Sequence, residues 1–298
     1  MDSALENSAS LLICDVDNTL FDWNAFYARA FRALLHSVSR KYGLSEHLLY
    51  GEVRTVLASH RSIEYPFLVQ ELDSFRGFEE DQMKSLIKTA RGAFLSSRRK
   101  RMRPHAGVKA TLEWIRRQRI PVVAVSNGPI YQTSLKLREL QLSRYFEGIV
   151  AWEGFSRPDP LDPYIGEFVT ARRGGEEMAW SATVPYEYLK PDTRPYEIAL
   201  ERYNVPNSAV WVVGDSLASD IGPGKLLGLQ TVWAKYGTSI DPSDLETLLS
   251  ITDWSDTQIR ALKEPPPITP KFTIESFGQL EQLLPGYEEG LFPITELI

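Results

Sequence analysis

Five short apolar runs punctuate the chain, at 11–14, 121–125, 148–151, 209–213 and 230–234. Each is strand-sized and almost unbroken by polar residues. That is the pattern of a strand buried on both faces of a parallel sheet, not of a strand with one wet face. Between the runs, apolar positions recur at helical spacing. Val108, Leu112 and Ile115 share a face before the second run, and Tyr196, Ile198, Leu200 and Tyr203 precede the fourth. Strand alternating with helix predicts an α/β fold with a Rossmann-like three-layer core and a parallel sheet.

One long stretch breaks the alternation. From Trp23 to Arg103 the periodicity is helical throughout, with one stripe at Phe26, Ala30, Phe31, Leu34 and Leu35 and others at Leu48, Val53 and Val56 and at Met83, Leu86 and Ile87. This predicts an all-helical domain at 23–103, set straight after the first strand and left at Pro104 and Gly107. The α/β core is then discontinuous, 1–22 and 104–298, with smaller inserts near 153–189 and 241–270. The first of these reads as a long loop with a hairpin around Gly174 and Gly175. The second reads as a short helix around 245–249 followed by Pro265, Pro266 and Pro267. A last strand and helix are expected within 272–284.

Composition narrows the class. The 298 residues are 43% hydrophobic and 24% charged, an ordinary globular balance. Thirty-three basic and 39 acidic side chains leave a net charge of −6, which speaks against a general nucleic-acid or membrane surface. The single cysteine, Cys14, rules out an intrachain disulfide and fits a reducing compartment. The first ten residues lack a basic, apolar leader, and no run approaches the ~18 apolar residues of a membrane span. The expectation is a cytoplasmic protein.

Candidate chemistry sits at the ends of the apolar runs. Asp15-Val16-Asp17-Asn18-Thr19 follows the first directly, and Gly214-Asp215-Ser216-Leu217-Ala218-Ser219-Asp220 follows the fourth. Residues i and i+2 of an extended chain face the same way, so Asp15 and Asp17 project into one site if the strand geometry persists. That site lies at the carboxyl edge of the sheet, where open α/β folds bind ligands. Asp15, Asp17, Asp215 and Asp220 would crowd four negative charges together, with Lys190 as one counter-charge. The remainder calls for a divalent cation, and an all-oxygen set selects Mg²⁺. Ser126, at the end of the second run, completes the set.

These residues, in this order, resemble the haloacid dehalogenase (HAD) superfamily. The pattern is Asp-x-Asp-x-Thr, then a Ser or Thr after a strand, then a Lys, then Gly-Asp-x-x-x-x-Asp. Here Asp15, Asp17, Thr19, Ser126, Lys190, Gly214, Asp215 and Asp220 match it. The resemblance implies a Mg²⁺-dependent phosphatase acting on a small phosphorylated metabolite. Asp15 would be the nucleophile and Asp17 the acid and base, with Lys190 neutralising charge. Thr19, Ser126, Asn127 and Gly128 would serve the substrate side, Thr19 by orienting the Asp15 loop. Asp15, Asp17 (through its carbonyl), Asp215 and Asp220 would hold the metal. The second acid, Asp17, separates this chain from dehalogenases of the superfamily, which lack it. The helical stretch matches a cap placed after the first motif. Glu187 departs from the pattern, standing where relatives carry a glycine three positions before the lysine. A phosphoryl-transferring mutase and a non-catalytic phosphate-binding module are the alternatives.

Other polar residues have two readings. His60, Arg61, Glu64 and Tyr65 form either a substrate contact, with Arg61 as its candidate, or an interhelical turn. The run Arg98-Arg99-Lys100-Arg101-Met102-Arg103 reads as a solvated helix end, where cations complement the dipole, not a nucleic-acid site. Trp23, Cys14 and His105 are assigned to packing and structure. Oligomeric state is left open.

Overall fold

The computed structural model describes residues 9–155, 178–252, 254 and 267–284. The predicted turn at Gly174 and Gly175 and two of the three consecutive prolines, Pro265 and Pro266, lie outside these residues. Strand β1 (Leu11–Cys14) is wholly buried and central. Helices α1 (Trp23–Tyr42), α2 (Glu46–His60) and α3 (Glu80–Arg101) come next. Then follow α4 (Val108–Arg117), β2 (Val122–Pro129), α5 (Ile130–Glu139), β3 (Gly148–Trp152) and β4 (Trp180–Val184). The described residues continue with α6 (Arg194–Tyr203), β5 (Val210–Gly214), α7 (Gly222–Leu226), β6 (Gln230–Ala234), α8 (Pro242–Ile251), β7 (Phe272–Ile274) and α9 (Leu280–Leu283).

The seven strands form one sheet in the order β4-β3-β2-β1-β5-β6-β7, and every pairing is parallel. The order reverses direction at β1, between its neighbours β2 and β5. Such a switch point opens a crevice at the carboxyl edge of an α/β sheet. Strand residues of alternate parity feed two separate hydrophobic layers: Leu12 and Cys14 pack on one face, Leu11 and Ile13 on the other. This is why the five runs read as continuous apolar segments.

Three expectations need correction. The stretch 23–103 is not helical throughout: between α2 and α3, residues 61–79 hold only two single turns, Leu68–Gln70 and Asp73–Phe75. The region 153–189 is not all loop, because β4 occupies part of it and pairs with β3. Its burial alternates as befits an edge strand, and a Trp-Ser-Ala-Thr-Val sequence carries little of the apolar signal of the inner strands. The helix at 245–249 is longer than its apolar core suggested: Asp241 caps it by accepting from the Ser243 N–H at 2.9 Å, and Pro242 occupies the first turn.

Helices α1 and α2 rest partly on α8. The link is ionic: Asp244, fully buried, accepts from Arg29 Nε at 3.0 Å and is also paired with Arg32. The chain leaves the core at Phe21 and re-enters at Pro104, and these two residues face each other in an antiparallel bridge.

Candidate active site

The β1 ladder continues past its last strand residue, with Asp15 N–H donating to the Val213 carbonyl at 2.9 Å. This aims the Asp15 side chain along the carboxyl edge. The next residues turn tightly. Leu20 N–H donates to the Val16 carbonyl at 3.0 Å, and Asn18 takes the left-handed conformation that Asn tolerates. Asn18 Oδ1 accepts from the Asn24 N–H at 3.2 Å, and Asp22 caps α1 by accepting from the Ala25 N–H at 2.8 Å.

Lys190 is the centre of the first cluster. Its ammonium donates to Asp15 Oδ1 at 2.6 Å, to Asp220 Oδ1 at 2.7 Å and to the Val125 carbonyl at 3.1 Å. All three charged groups are buried. Asn127 sets its position by a reciprocal amide clamp, giving Nδ2–H to the Lys190 carbonyl at 2.9 Å and taking the Lys190 N–H on Oδ1 at 2.8 Å. The Lys190–Pro191 peptide bond is cis. Asp220 also accepts from the Tyr196 hydroxyl at 3.2 Å and from the Ser216 N–H at 3.0 Å. It presses so close to Gly214 that a β-carbon there would stand 2.3 Å from its carboxyl carbon, which makes glycine obligatory. Burial would lower the Lys190 value, but Asp15 and Asp220 more than reverse this and hold it well above the usual lysine range.

Asp15, Asp215 and Asp220 each offer an oxygen within 4.8 Å of the others. Burial, then repulsion from Asp15 and Asp220, pushes Asp215 well above the carboxylate range. Burial, opposed by Lys190 and reinforced by Asp15, puts Asp220 at about 6. Asp15 Oδ2 is buried without a hydrogen-bond partner. Three carboxylates, one ammonium and an orphaned oxygen are the donor set and the charge excess that a hard divalent cation fits.

A second cluster was not foreseen. Lys136, on α5, is buried and donates to both oxygens of Asp17, each at 2.7 Å, and to Glu64 Oε1 at 2.9 Å. Trp23 Nε1–H donates to the same Glu64 oxygen at 2.9 Å, so Trp23 does more than pack. Glu64 Oε2 is buried and unpaired. Gly128 lies against this group: a β-carbon there would stand 3.2 Å from Lys136 Nζ and 3.3 Å from Glu64 Oε2. Asp17 is pushed up to about 7, by burial first and by Glu64 and Asp15 besides, with Lys136 pulling the other way. The charge count made from sequence therefore omitted one lysine and one glutamate. A signal existed. Thr133, Lys136, Leu137 and Leu140 fall on one helical face, and the other three are buried there.

The remaining expected residues sort as follows. Thr19 is fully buried, and its hydroxyl accepts from the Asp215 N–H at 3.0 Å while its carbonyl accepts from the Tyr236 hydroxyl at 2.6 Å. It ties the loop after β1 to the loop after β5. Ser126 and Gly128 lie on an irregular extension of β2 and not on a helix. Helix α5 begins only at Ile130, and the Ser126 hydroxyl accepts from the Gly128 N–H at 3.0 Å. Asn127 spends its side chain on Lys190, as above. Arg61, left-handed and exposed at the end of α2, lies with its guanidinium 5.8 Å from the centre of the Tyr186 ring. His60 pairs with Glu71 at 2.8 Å and stacks on Tyr65, which also bonds Glu71. Only Glu64 of that polar group reaches the aspartates' neighbourhood. Arg98 pairs with Glu139 at 2.7 Å. His105 donates to the Asn18 carbonyl at 3.0 Å and has its basicity lowered by burial.

The family model for haloacid dehalogenase-like hydrolases matches residues 9–228, and a second HAD-hydrolase-like model matches 188–277. The chain belongs to the HAD family of hydrolases. Among curated relatives, a phosphorylated carbohydrates phosphatase of Thermotoga maritima is 24% identical over 80% of this chain and 89% of its own length. A glyceraldehyde 3-phosphate phosphatase of Pyrococcus abyssi is 44% identical over only 16% of this chain and 20% of its own. Among solved structures, a 2-haloacid dehalogenase from Pseudomonas syringae superposes with a TM-score of 0.55 at 20% identity, over 92% of this chain and 97% of its own. YfnB from Bacillus subtilis, solved bound to magnesium, gives 0.51 at 18% identity, over 93% and 99%. At such identities these likenesses speak to the HAD fold alone. Among the described residues, no helix is long and apolar enough to cross a membrane.

Proposed function

We propose that this HAD hydrolase is a Mg²⁺-dependent phosphatase that cleaves a small phosphomonoester through an aspartyl-phosphate on Asp15. The observation that carries the reading is the pairing of two aspartates, two residues apart, with separate buried lysines. Asp15 is held by Lys190, and Asp17 by Lys136 at a value of about 7. In the first step an Asp15 oxygen forms a bond to phosphorus as the bond from phosphorus to the leaving oxygen breaks. The protonated form of Asp17 delivers its proton to that oxygen. In the second step the Asp17 carboxylate takes a proton from water, which attacks phosphorus and frees Asp15 and phosphate. A group poised near neutrality serves both directions.

Lys190 neutralises charge on Asp15 and on the phosphoryl group. Asp15, Asp215 and Asp220, with the Asp17 carbonyl, would hold Mg²⁺, which supplies charge neutralisation for an anionic substrate. Ser126 and the N–H groups of the β2 extension face the phosphoryl oxygens. The helical stretch 23–103 serves as the cap, and Glu64 is its reach toward Asp17. The presence of Asp17 favours phosphoryl transfer over attack on carbon. Phosphate release from an aryl phosphate in Mg²⁺ is the test. Release that requires the metal and disappears in Asp15→Asn supports the reading, and equal release by that variant sinks it.

A further inference from the structure

A cavity of about 210 Å³ lies beside the Lys136 cluster, lined by α1, α3, α5 and the irregular segment after α2. Its walls are aromatic and aliphatic. Phe26, Tyr27, Phe31 and Phe94 meet one another in tilted and edge-to-face contacts with ring centres 4.7 to 6.1 Å apart. Leu34 and Leu68 also line it. Glu64, Gln70, Gln132 and the cations Arg91, Arg98 and Lys136 contribute polar groups at its margins. Two of the oxygens there, Glu64 Oε2 and Gln70 Oε1, are buried with no hydrogen-bond partner. Buried acceptors without donors are rare in folded proteins and mark a place where a donor is missing.

We infer that this cavity receives the leaving group of the substrate, and that the leaving group is an alcohol bearing one aromatic ring with an O–H or N–H donor. The inference rests on the phosphatase reading and adds the substrate class to it. Size selects the ring. A cavity of roughly 150 Å³ lined by Leu, Ile and Phe holds a benzene, so the present one holds a single substituted ring or a compact fused pair. The walls select aromatic over polyhydroxylated guests. Rings pack edge-to-face on Phe26 and Phe94, whereas a sugar would bury several hydroxyls against the same carbon surface. The two unpaired oxygens select a donor on the ring. Position ties the cavity to the chemistry, because Lys136 both lines it and grips Asp17, the residue assigned to protonate the departing oxygen.

The test is a set of primary-alcohol phosphates, whose leaving oxygens are alike in basicity. 3-Hydroxybenzyl phosphate, benzyl phosphate, cyclohexylmethyl phosphate and glucose 6-phosphate are compared by kcat/KM in Mg²⁺, with acetyl phosphate as a ringless reference. The expected order is the one just given, with at least tenfold between the first and last. Ala90→Phe fills the cavity from α3 and should collapse the ratio of 3-hydroxybenzyl phosphate to acetyl phosphate at least tenfold. Gln70→Leu, at a half-buried position, should narrow the gap between 3-hydroxybenzyl and benzyl phosphates. Calorimetry with 3-hydroxybenzyl alcohol should show binding that Ala90→Phe weakens. If acetyl phosphate turns over in an Asp15-dependent manner while glucose 6-phosphate equals or exceeds the ring substrates, the inference is overturned and the phosphatase reading stands. If no phosphate ester is cleaved, the phosphatase reading falls. The alcohol titration against wild type and Gln70→Leu then decides the cavity: binding weakened by the variant supports it, and no binding overturns it.

Discussion

Two buried lysines divide the aspartates of the carboxyl edge between them. Lys190 bridges Asp15 and Asp220, and the partners of its ammonium come from the sheet: the loop after β1, Val125 within β2 and the turn after β5. Lys136 bridges Asp17 and Glu64, and one of these comes from the helical segment inserted after β1. The first is a cluster of the core alone. The second is complete only while the segment after α2 lies over the core, because Glu64 comes from that segment. The difference teaches that the surroundings of Asp15, the proposed nucleophile, are built by the sheet, whereas those of Asp17, the proposed acid and base, are built in part by a contact between two parts of the chain. A shift of the insert therefore alters Asp17 before it alters Asp15.

The sharpest way to break this contrast is Lys190→Met. It leaves Asp15 and Asp220 buried with no counter-charge, a loss that costs about 3–5 kcal/mol in buried pairs. Urea unfolding in the absence of metal should show a drop of that order, and turnover should fall by about a thousandfold or more. Lys136→Met comes next. It strands Asp17 and Glu64, and it removes the group that most strongly pulls the Asp17 value down, so that value rises. Turnover should fall by about a hundredfold, in the range of a general acid or base, with the pH–rate profile displaced to higher pH. An unshifted profile would show that Lys136 acts on the fold and not on Asp17.

Protons and metal offer a milder test. Asp220 sits at about 6 and Asp17 at about 7, both above the 3.8 of an ordinary aspartate. A carboxyl with a raised folded value keeps its proton when the unfolded chain has given it up. These groups therefore contribute stability below about pH 4 that is lost as the pH rises through 6 and 7. Thermal melts of chelator-treated protein should show this decline, and added Mg²⁺ should offset it, because the cation takes the place of the protons. For the same reason, Mg²⁺ affinity measured by calorimetry should weaken as the pH falls below about 6. The smallest effect is expected from Glu64→Gln. It preserves shape, removes one negative neighbour of Asp17 and lowers the Asp17 value, so turnover should change by less than about tenfold while the profile moves to lower pH. Opposite displacements in the two variants at Asp17 sharpen the comparison, and displacements in the same direction refute it.

The contrast also explains what could be read from the sequence. Asp15, Asp17, Asp215 and Asp220 follow directly on apolar runs, and strand direction alone carries them to one edge. Lys190 follows no such run, and the order of the motifs was what singled it out. Lys136 has neither advantage. A lysine at that helix position reads as solvent-facing unless the face of Thr133, Leu137 and Leu140 is recognised as covered. What covers it is a segment more than sixty residues earlier, and no local pattern encodes that contact. Strand β4 escaped for a related reason. An edge strand with alternating burial has half the apolar signal of an inner one. Asn127 was expected to face substrate, yet its amide is committed to the Lys190 backbone, a pairing across 63 positions that spacing does not reveal.

The bridge between Phe21 and Pro104 has a consequence for the protein's history and for its redesign. Where a chain departs and returns through adjoining residues, the intervening length is nearly free to change, because joining two neighbouring ends adds little closure entropy whatever lies between. The seam thus favours exchange of one insert for another. Asp244 opposes that exchange. Its partners Arg29 and Arg32 leave with the insert, while the carboxylate stays behind in α8, fully buried. A transplanted insert must bring two well-placed cations with it, or travel together with helix α8.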